Sequence, residues 1–126
     1  MQLHGGGLSV RSFIHIRDVV RATLKLAIEG EPGTTWHLST NESVSIHKLV
    51  KQIFEICEAN FDNLVVCSEE RLGKDQNYLL DSTAMRQKYG WYDQVSLKEG
   101  LQETLDWVDE NLTTLKRLPW DYQHKS

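Results

Sequence analysis

The feature that most constrains the fold is the alternation of short β-prone segments with amphipathic helical segments along the chain's 126 residues. Two of the helices carry their own N-terminal signals. Ser45 precedes an apolar stripe at helical spacing that runs to Cys57, and its hydroxyl suits the N-cap position. Ser96 and Glu99 form a capping-box pattern before the last long helix. The alternation predicts an α/β domain.

The other elements follow from local periodicity and from turn residues. The predicted strands are 8–14, 34–39, 64–67 and 78–80. The predicted helices are 17–28, 45–57, 81–88 and one that begins at Ser96, while 1–7 and 69–77 are predicted loops. Strands this few and this short make a thin sheet, so the sequence indicates one part of a larger fold.

The composition excludes several classes of protein. Lys and Arg number 14 against 18 Asp and Glu, a net charge of -4, which argues against a protein that coats nucleic acid. No apolar run approaches the roughly 20 residues of a membrane span, and no signal-peptide pattern opens the sequence. Cys57 and Cys67 lie among apolar neighbours and are predicted to be buried thiols of a cytoplasmic protein, with a disulfide as the minor alternative. Two cysteines without a nearby pair of histidines do not predict a metal site.

Two cationic elements are candidates for binding an anion. The run Gly5–Gly7 precedes Arg11, whose planar guanidinium matches phosphate oxygens, although a glycine run more often forms only a turn. Arg71 and Lys74 flank Gly73 in a polar loop, where two cations suit a diphosphate but also suit plain solvent exposure. His15 stands just before a helix, and its expected role is a structural hydrogen bond.

The sequence lacks the motifs of two kinds of active site. A dinucleotide site needs a Gly-x-Gly-x-x-Gly turn between a strand and a helix, and the run Gly5–Gly7 has neither the spacing nor the helix. No tyrosine is followed four positions later by lysine. An esterase is excluded in the same way, because no Gly-x-Ser-x-Gly elbow occurs. These residues therefore predict no catalytic group in the chain.

Six segments, in order, resemble the NAD-dependent sugar epimerase/dehydratases, a family of extended short-chain dehydrogenase/reductases (SDRs). The stretch from Arg11 to Ala22 is similar to the family's R-(D/S)-F/W-(I/L)-(H/Y)-V-x-D-x-x-x-A segment, and the likeness extends to the nucleoside-diphosphate-glucose 4,6-dehydratases. The six segments are Gly5–Gly7, Arg11–Ala22, Gly33–Leu38, Ser45–Val50, Asp81–Trp91 and Ser96–Trp107.

The resemblance implies the small C-terminal, substrate-binding portion of an extended SDR, with short strands and about four helices but without the N-terminal Rossmann core. It implies a nucleotide-sugar-binding portion over 1–112 and a tail over 113–126. The residues that match substrate contacts are Arg11, Arg71, Lys74 and Ser45, the first three at the diphosphate. NAD and the catalytic tyrosine belong to the missing half, so this chain alone is expected to bind no cofactor and to be inactive.

Two other readings remain open: a free-standing binding or assembly module without catalysis, and an unrelated α/β domain. The base, the sugar and the choice among dehydratase, epimerase and reductase are not encoded in these segments. The expected partners are a nucleotide-sugar and the Rossmann half, with no nucleic acid and no membrane. A homo-oligomer is also expected, because the strand 34–39 and the apolar residues of the helix 17–28 would lack the neighbours that they have in the family.

Overall fold

A computed structural model describes residues 1–69, 73 and 75–119, and within these residues the chain is a mixed α/β fold. The strands are β1 Gln2–His4, β2 Val10–Arg11, β3 Val44–Ser45, β4 Val66–Ser68 and β5 Asn77–Tyr78. The helices are α1 Ile16–Glu29, α2 Ile46–Ile56, α3 Phe61–Leu64, α4 Thr83–Tyr89 and α5 Leu97–Leu115. The α/β class is confirmed, and the described part has five α-helices where about four were predicted.

The strands form two small sheets. β1 pairs with β4 in parallel, with Leu3 opposite Cys67. In the second sheet β2 lies in the middle, antiparallel to β3 and parallel to β5. Its Arg11 is opposite Val44 on one side and Tyr78 on the other. The second sheet therefore brings Arg11 beside the segment that follows Arg71 and Lys74 in sequence.

The predicted N-caps Ser45 and Ser96 are confirmed, whereas the helix predicted from Asp81 begins at Thr83, after Ser82 at the N-cap position. Ser45 Oγ accepts a hydrogen bond from the Lys48 amide at 3.2 Å and so caps α2. At α5, Ser96 Oγ accepts from the Glu99 amide at 3.3 Å, and Glu99 Oε2 accepts from the Ser96 amide at 2.9 Å. The hydrogen bonds from the Ser96 hydroxyl and amide lower the pKa of Glu99 below its ordinary value. His15 Nδ1 accepts from the Arg17 amide at 3.3 Å, which is the structural role expected of His15.

The main core joins α1 to α4 and to the turn after α4. Its buried members are Ala22, Met85, Tyr89 and Trp91. The partly buried side chains packed against it are Ile14, Leu26, Trp36 and Leu38. This cluster thus lies against α1, while Leu3, Val44 and Val50 are buried outside it.

The prediction of a strand over 34–39 is wrong. No ladder forms there, because no described strand lies beside the segment. Trp36 and Leu38 pack on the core instead, and the Trp36 ring meets Tyr89 edge-on at 5.0 Å. The Ser39 carbonyl accepts from Ser82 Oγ and from Arg86 Nη2, each at 3.0 Å, so side chains satisfy a group that a ladder would otherwise pair.

Three other differences arise from pairing between distant segments. The segment 1–7, predicted as a loop, contains β1, because Gln2–His4 pairs with β4 far along the chain. The strand predicted over 8–14 is only Val10–Arg11, because its partner β3 ends where Ser45 caps α2. The last helix continues to Leu115, so the first residues of the segment 113–126 are helical.

The prediction of buried thiols is also wrong. Cys57 and Cys67 are both exposed and free, and no disulfide joins them. Cys57 ends the predicted apolar stripe but lies just after the last residue of α2. Cys67 lies on β4, whose only partner in the described sheets is β1, and the neighbouring Val66 is 65% exposed. Apolar neighbours in sequence therefore did not imply burial here.

Candidate functional site

The candidate site is built around Arg11 on the middle strand β2. Its guanidinium is partly buried and donates to backbone carbonyls of two segments. Nη1 donates to the Val10 carbonyl at 2.7 Å and to the Gln76 carbonyl at 3.3 Å. Nη2 donates to the Asp75 carbonyl at 2.7 Å. Arg11 is thereby held in one orientation against the end of the loop that contains Arg71 and Lys74 in sequence.

The charge of Arg11 is not neutralised by a carboxylate of the described residues, because its partners there are carbonyl groups. A guanidinium has five N–H donors. The carbonyls occupy three of them, which leaves the Nε–H and one Nη2–H. A partly buried cation with donors to spare is suited to an anionic oxygen, and charge-assisted bonds of this kind are the stronger ones.

The other predicted cations, Arg71 and Lys74, lie outside the described residues. Gly73 between them is described and exposed, with φ of 80° in the left-handed region that favours glycine. A Cβ added to Gly73 would meet nothing within 4 Å. Glycine is therefore favoured at position 73 by the backbone conformation and not by close packing.

Ser45, the fourth predicted site residue, lies in the same sheet as Arg11 but on the other face. It is opposite Val10 in the register, whereas Arg11 is opposite Val44. Residues directly opposite share a face, and successive residues alternate between faces. The Ser45 hydroxyl is also engaged as the N-cap of α2. Arg11 and Ser45 thus lie on neighbouring strands, but their side chains are on opposite faces of the sheet and do not converge on one ligand.

The run Gly5–Gly7 forms a tight turn that leads into β2. All three residues have positive φ, at 56°, 63° and 69°, and the Leu8 amide donates to the Gly5 carbonyl at 3.4 Å. Gly7 is buried, and an added Cβ would lie 2.7 Å from the His47 backbone nitrogen. The run is a structural turn, and Gly7 permits β2 to approach the start of α2.

A polar cavity of about 290 Å³ lies between the N-terminal part of α2 and the segment 93–97. Lys48 and Gln52 line it from α2, and Asp93 lines it from the opposite side. Gln52 Oε1 is buried without a hydrogen-bond partner among the described residues. Sequence reasoning missed this cavity, because its walls come from segments without a shared motif. Arg11 is not among its lining residues.

Asp18 is a buried residue whose role the sequence did not reveal. It has no exposed surface, and its two carboxylate oxygens accept from the Gln94 and Val95 amides at 3.1 Å each. Arg21 pairs with the same carboxylate, and Trp91 Nε1 donates to the Asp18 carbonyl at 3.1 Å. Asp18 therefore fixes α1 to the segment that leads into α5.

Two kinds of feature do not occur within the described ranges. Residues 1–69, 73 and 75–119 contain no group of three or more His, Cys, Asp or Glu side chains placed to hold a metal ion. Among the same residues, none of the helices has both the length and the apolar character needed to cross a membrane.

Known proteins resemble the chain in both sequence and structure, although no protein-family model matches it. The human dTDP-D-glucose 4,6-dehydratase is 31% identical over 121 residues, which cover 92% of this chain and 34% of that protein. The structure of a dTDP-glucose 4,6-dehydratase from Streptomyces venezuelae, with NAD bound, superposes with a TM-score of 0.84 at 26% identity. This match covers 90% of this chain and 35% of the Streptomyces venezuelae chain.

A UDP-glucose 4-epimerase from Thermotoga maritima, solved with UDP-glucose, superposes with a TM-score of 0.80 at 32% identity. The match covers 89% of this chain and 35% of that one. The chain thus spans about a third of the length of the relatives that it matches. In sequence and in fold it corresponds to the C-terminal part of these dehydratases and epimerases, which have the fold of extended short-chain dehydrogenase/reductases.

Proposed function

We propose that this chain is the nucleotide-sugar-holding part of an NAD-dependent dehydratase or epimerase, and that Arg11, Arg71 and Lys74 grip the diphosphate. The observation that supports this most is the 2.7 Å hydrogen bond from Arg11 Nη2 to the Asp75 carbonyl. Asp75 directly follows Lys74 in sequence, so Arg11 is tied to the end of the predicted diphosphate loop. Ser45 remains a weaker candidate for the nucleotide, since its hydroxyl caps α2.

The chemistry that these residues supply is binding. Arg11 is held by three backbone carbonyls before any ligand arrives, so little of its side-chain freedom remains to be lost on binding. A fixed diphosphate positions the sugar for groups elsewhere, which is how orientation contributes to rate. No catalytic residue is assigned to this chain. Hydride transfer is the chemistry that NAD supplies when it is bound to an intact enzyme.

The glycine run of this chain does not have the form of a dinucleotide turn. A dinucleotide turn needs a glycine-rich run that opens a helix, whose N-terminus then faces the pyrophosphate. Here the run Gly5–Gly7 opens onto strand β2. The space over Gly7 is filled by the His47 backbone. A pyrophosphate therefore cannot lie against Gly7.

We expect the 126-residue chain to show no saturable binding of NAD and no turnover of a nucleotide-sugar. The physical reason is that the glycine run leads into a strand instead of a helix, and that the sequence has no Tyr-x-x-x-Lys pair. Isothermal titration with NAD into the millimolar range is the measurement. A saturating isotherm would show that the chain carries a cofactor site of its own.

Arg11→Ala is expected to weaken binding of UDP or dTDP to the chain by about 10- to 100-fold. Charge-assisted hydrogen bonds contribute about 1.5–3 kcal/mol each, and about 1.4 kcal/mol corresponds to tenfold in affinity. The measurement is the shift of backbone amide resonances on titration with each nucleoside diphosphate. Arg11→Lys should retain part of the affinity, because it keeps the charge and loses the fork.

Arg117→Ala is the matched control, because Arg117 is an exposed arginine just after α5. The Arg117→Ala variant should bind UDP and dTDP with the same affinity as the unchanged chain. If Arg11 and Arg71 serve one diphosphate, the double variant should lose less than the sum of the two single losses. Affinities left unchanged in both Arg11→Ala and Arg71→Ala would refute the diphosphate grip.

A further inference from the structure

The polar cavity beside α2 contains a buried acceptor that the described part of the chain does not satisfy. Gln52 lines this cavity of about 290 Å³, and its Oε1 has no hydrogen-bond partner among the described residues. Leaving a buried polar atom unpaired costs free energy, so nearly all such atoms in folded proteins have a partner. The position of Gln52 Oε1 therefore indicates a place for a hydrogen-bond donor inside the cavity.

Two further polar side chains of the cavity have capacity for hydrogen bonds. Lys48 lies one turn before Gln52 on α2 and forms no ion pair with a described carboxylate. Asp93, on the opposite side, accepts from Arg86 Nη2 through Oδ1 at 2.6 Å. A carboxylate has about four acceptor sites, so one such bond leaves Asp93 able to accept others. The cavity thus presents both donors and acceptors to a ligand.

The charges around the cavity largely cancel. Lys48 and Glu42 are both exposed lining residues, one a cation and the other an anion. Asp93 is paired with Arg86, and the buried Gln52 is uncharged. A charged ligand would therefore meet no excess of the opposite charge. Hydroxyl groups suit this lining, because each one both donates and accepts a hydrogen bond.

Apolar side chains complete the walls. Phe13, Val44, Val95 and Leu97 line the cavity, and Val44 is buried. Ligand sites commonly combine apolar walls with a few polar groups and have volumes of about 300–1,000 Å³, so this cavity is at the small end of the range. Its size and lining fit a molecule such as a monosaccharide, which carries hydroxyls around the ring and C–H groups on its faces.

We propose that this cavity is a second binding site, for an uncharged polyhydroxylated molecule of monosaccharide size. Its walls come from Phe13, the segment 40–44, α2 and the segment 93–97, so this chain can hold a small molecule without a second protein. Arg11 does not line the cavity, so the site is independent of the proposed diphosphate grip. The expected dissociation constant is about 1–10 mM, the strength usual for so small a ligand.

The test is a titration of the 126-residue chain with D-glucose to about 100 mM, followed by backbone amide resonances. We expect saturable shifts at the amides of Ser43, Gln52 and Val95. Gln52→Met removes the acceptor at similar side-chain length and should weaken binding about 3- to 10-fold. Lys48→Met removes a charged donor at an exposed position and should weaken it about tenfold. Circular dichroism checks that α2 remains helical in both variants.

Gln87→Met is the matched control, because Gln87 is exposed on α4 and does not line the cavity. It should bind D-glucose as the unchanged chain does. Arg11→Ala should also leave the binding of D-glucose unchanged, so a failure of the diphosphate grip is distinguishable from a failure of this site. D-glucuronate, which carries a carboxylate on the same kind of ring, should bind no more tightly than D-glucose.

Four results would overturn the proposal. The first is an absence of saturable shifts at the cavity amides up to about 100 mM D-glucose. The second is binding that neither Gln52→Met nor Lys48→Met weakens. Loss of D-glucose binding in Arg11→Ala would place the sugar at the diphosphate site instead, and tighter binding of D-glucuronate would refute an uncharged ligand.

Discussion

Replacing Asp18 with alanine is expected to lower the free energy of unfolding by about 2–5 kcal/mol, because two backbone amides would lose their acceptor at about 1–3 kcal/mol each. The carboxylate is fully buried and accepts from two backbone amides and from Arg21. Alanine would leave the Gln94 and Val95 amides and the guanidinium without this acceptor. Urea denaturation, followed by tryptophan fluorescence, measures the change, since Trp91 lies beside this residue.

Two further variants separate the acceptor role from the general effect of losing a carboxylate. Asp109→Ala removes an exposed carboxylate on α5 and should change the stability by less than about 0.5 kcal/mol. Asp18→Asn keeps one acceptor oxygen, so its free energy of unfolding should lie between those of the unchanged chain and Asp18→Ala. If Asp18→Ala proves as stable as Asp109→Ala, then Asp18 is not the link between α1 and the segment before α5.

Gly7→Ala is expected to destabilise the fold by about 2–5 kcal/mol. Part of that cost is the left-handed backbone, at about 1–2 kcal/mol for a residue with a Cβ. The rest is overpacking, typically about 1–3 kcal/mol. The added Cβ would lie 2.7 Å from the His47 backbone nitrogen and 3.0 Å from the Leu3 side chain, and a backbone atom at the start of α2 moves little. The same urea experiment measures the loss.

The neighbouring glycine is a matched control within the same turn. Gly6 has nearly the same φ, 63° against 69°, but a Cβ there meets nothing within 4 Å. Gly6→Ala should therefore lose only the conformational part, about 1–2 kcal/mol. Equal losses at Gly6 and Gly7 would mean that backbone conformation, and not the contact with α2, makes glycine necessary at position 7.

The sequence predicted well those features that neighbouring residues determine. Ser45 and Ser96 act on amides three positions away, so their caps were visible before any tertiary structure was known. The segment 34–39 has the composition of a strand, but a strand also requires a partner. Instead, its apolar side chains pack on the core and its Ser39 carbonyl accepts a hydrogen bond from Arg86. Local composition does not indicate either of these long-range contacts.

The candidate site was predicted in its residue types and not in its geometry. Arg11 emerged from the family resemblance, yet its orientation depends on carbonyls of Asp75 and Gln76, whose directions a loop sequence does not specify. Asp18 belongs to the same matched segment, but its role depends on two amides more than seventy positions away. A single sequence does not reveal such long-range partners.

The parallel pair of β1 and β4 also bears on the order in which the chain folds. The two strands are joined only across a long intervening stretch, and the Met1 nitrogen donates to the Leu64 carbonyl at 2.7 Å, 63 positions apart. Closing so long a loop costs conformational entropy before the contacts between the strands can form. Contacts between residues far apart in sequence therefore slow folding. We therefore expect β1 to dock after α2 has formed between the two strands. In pulsed hydrogen exchange during refolding, the amides of β1 would then gain protection later than those of α2.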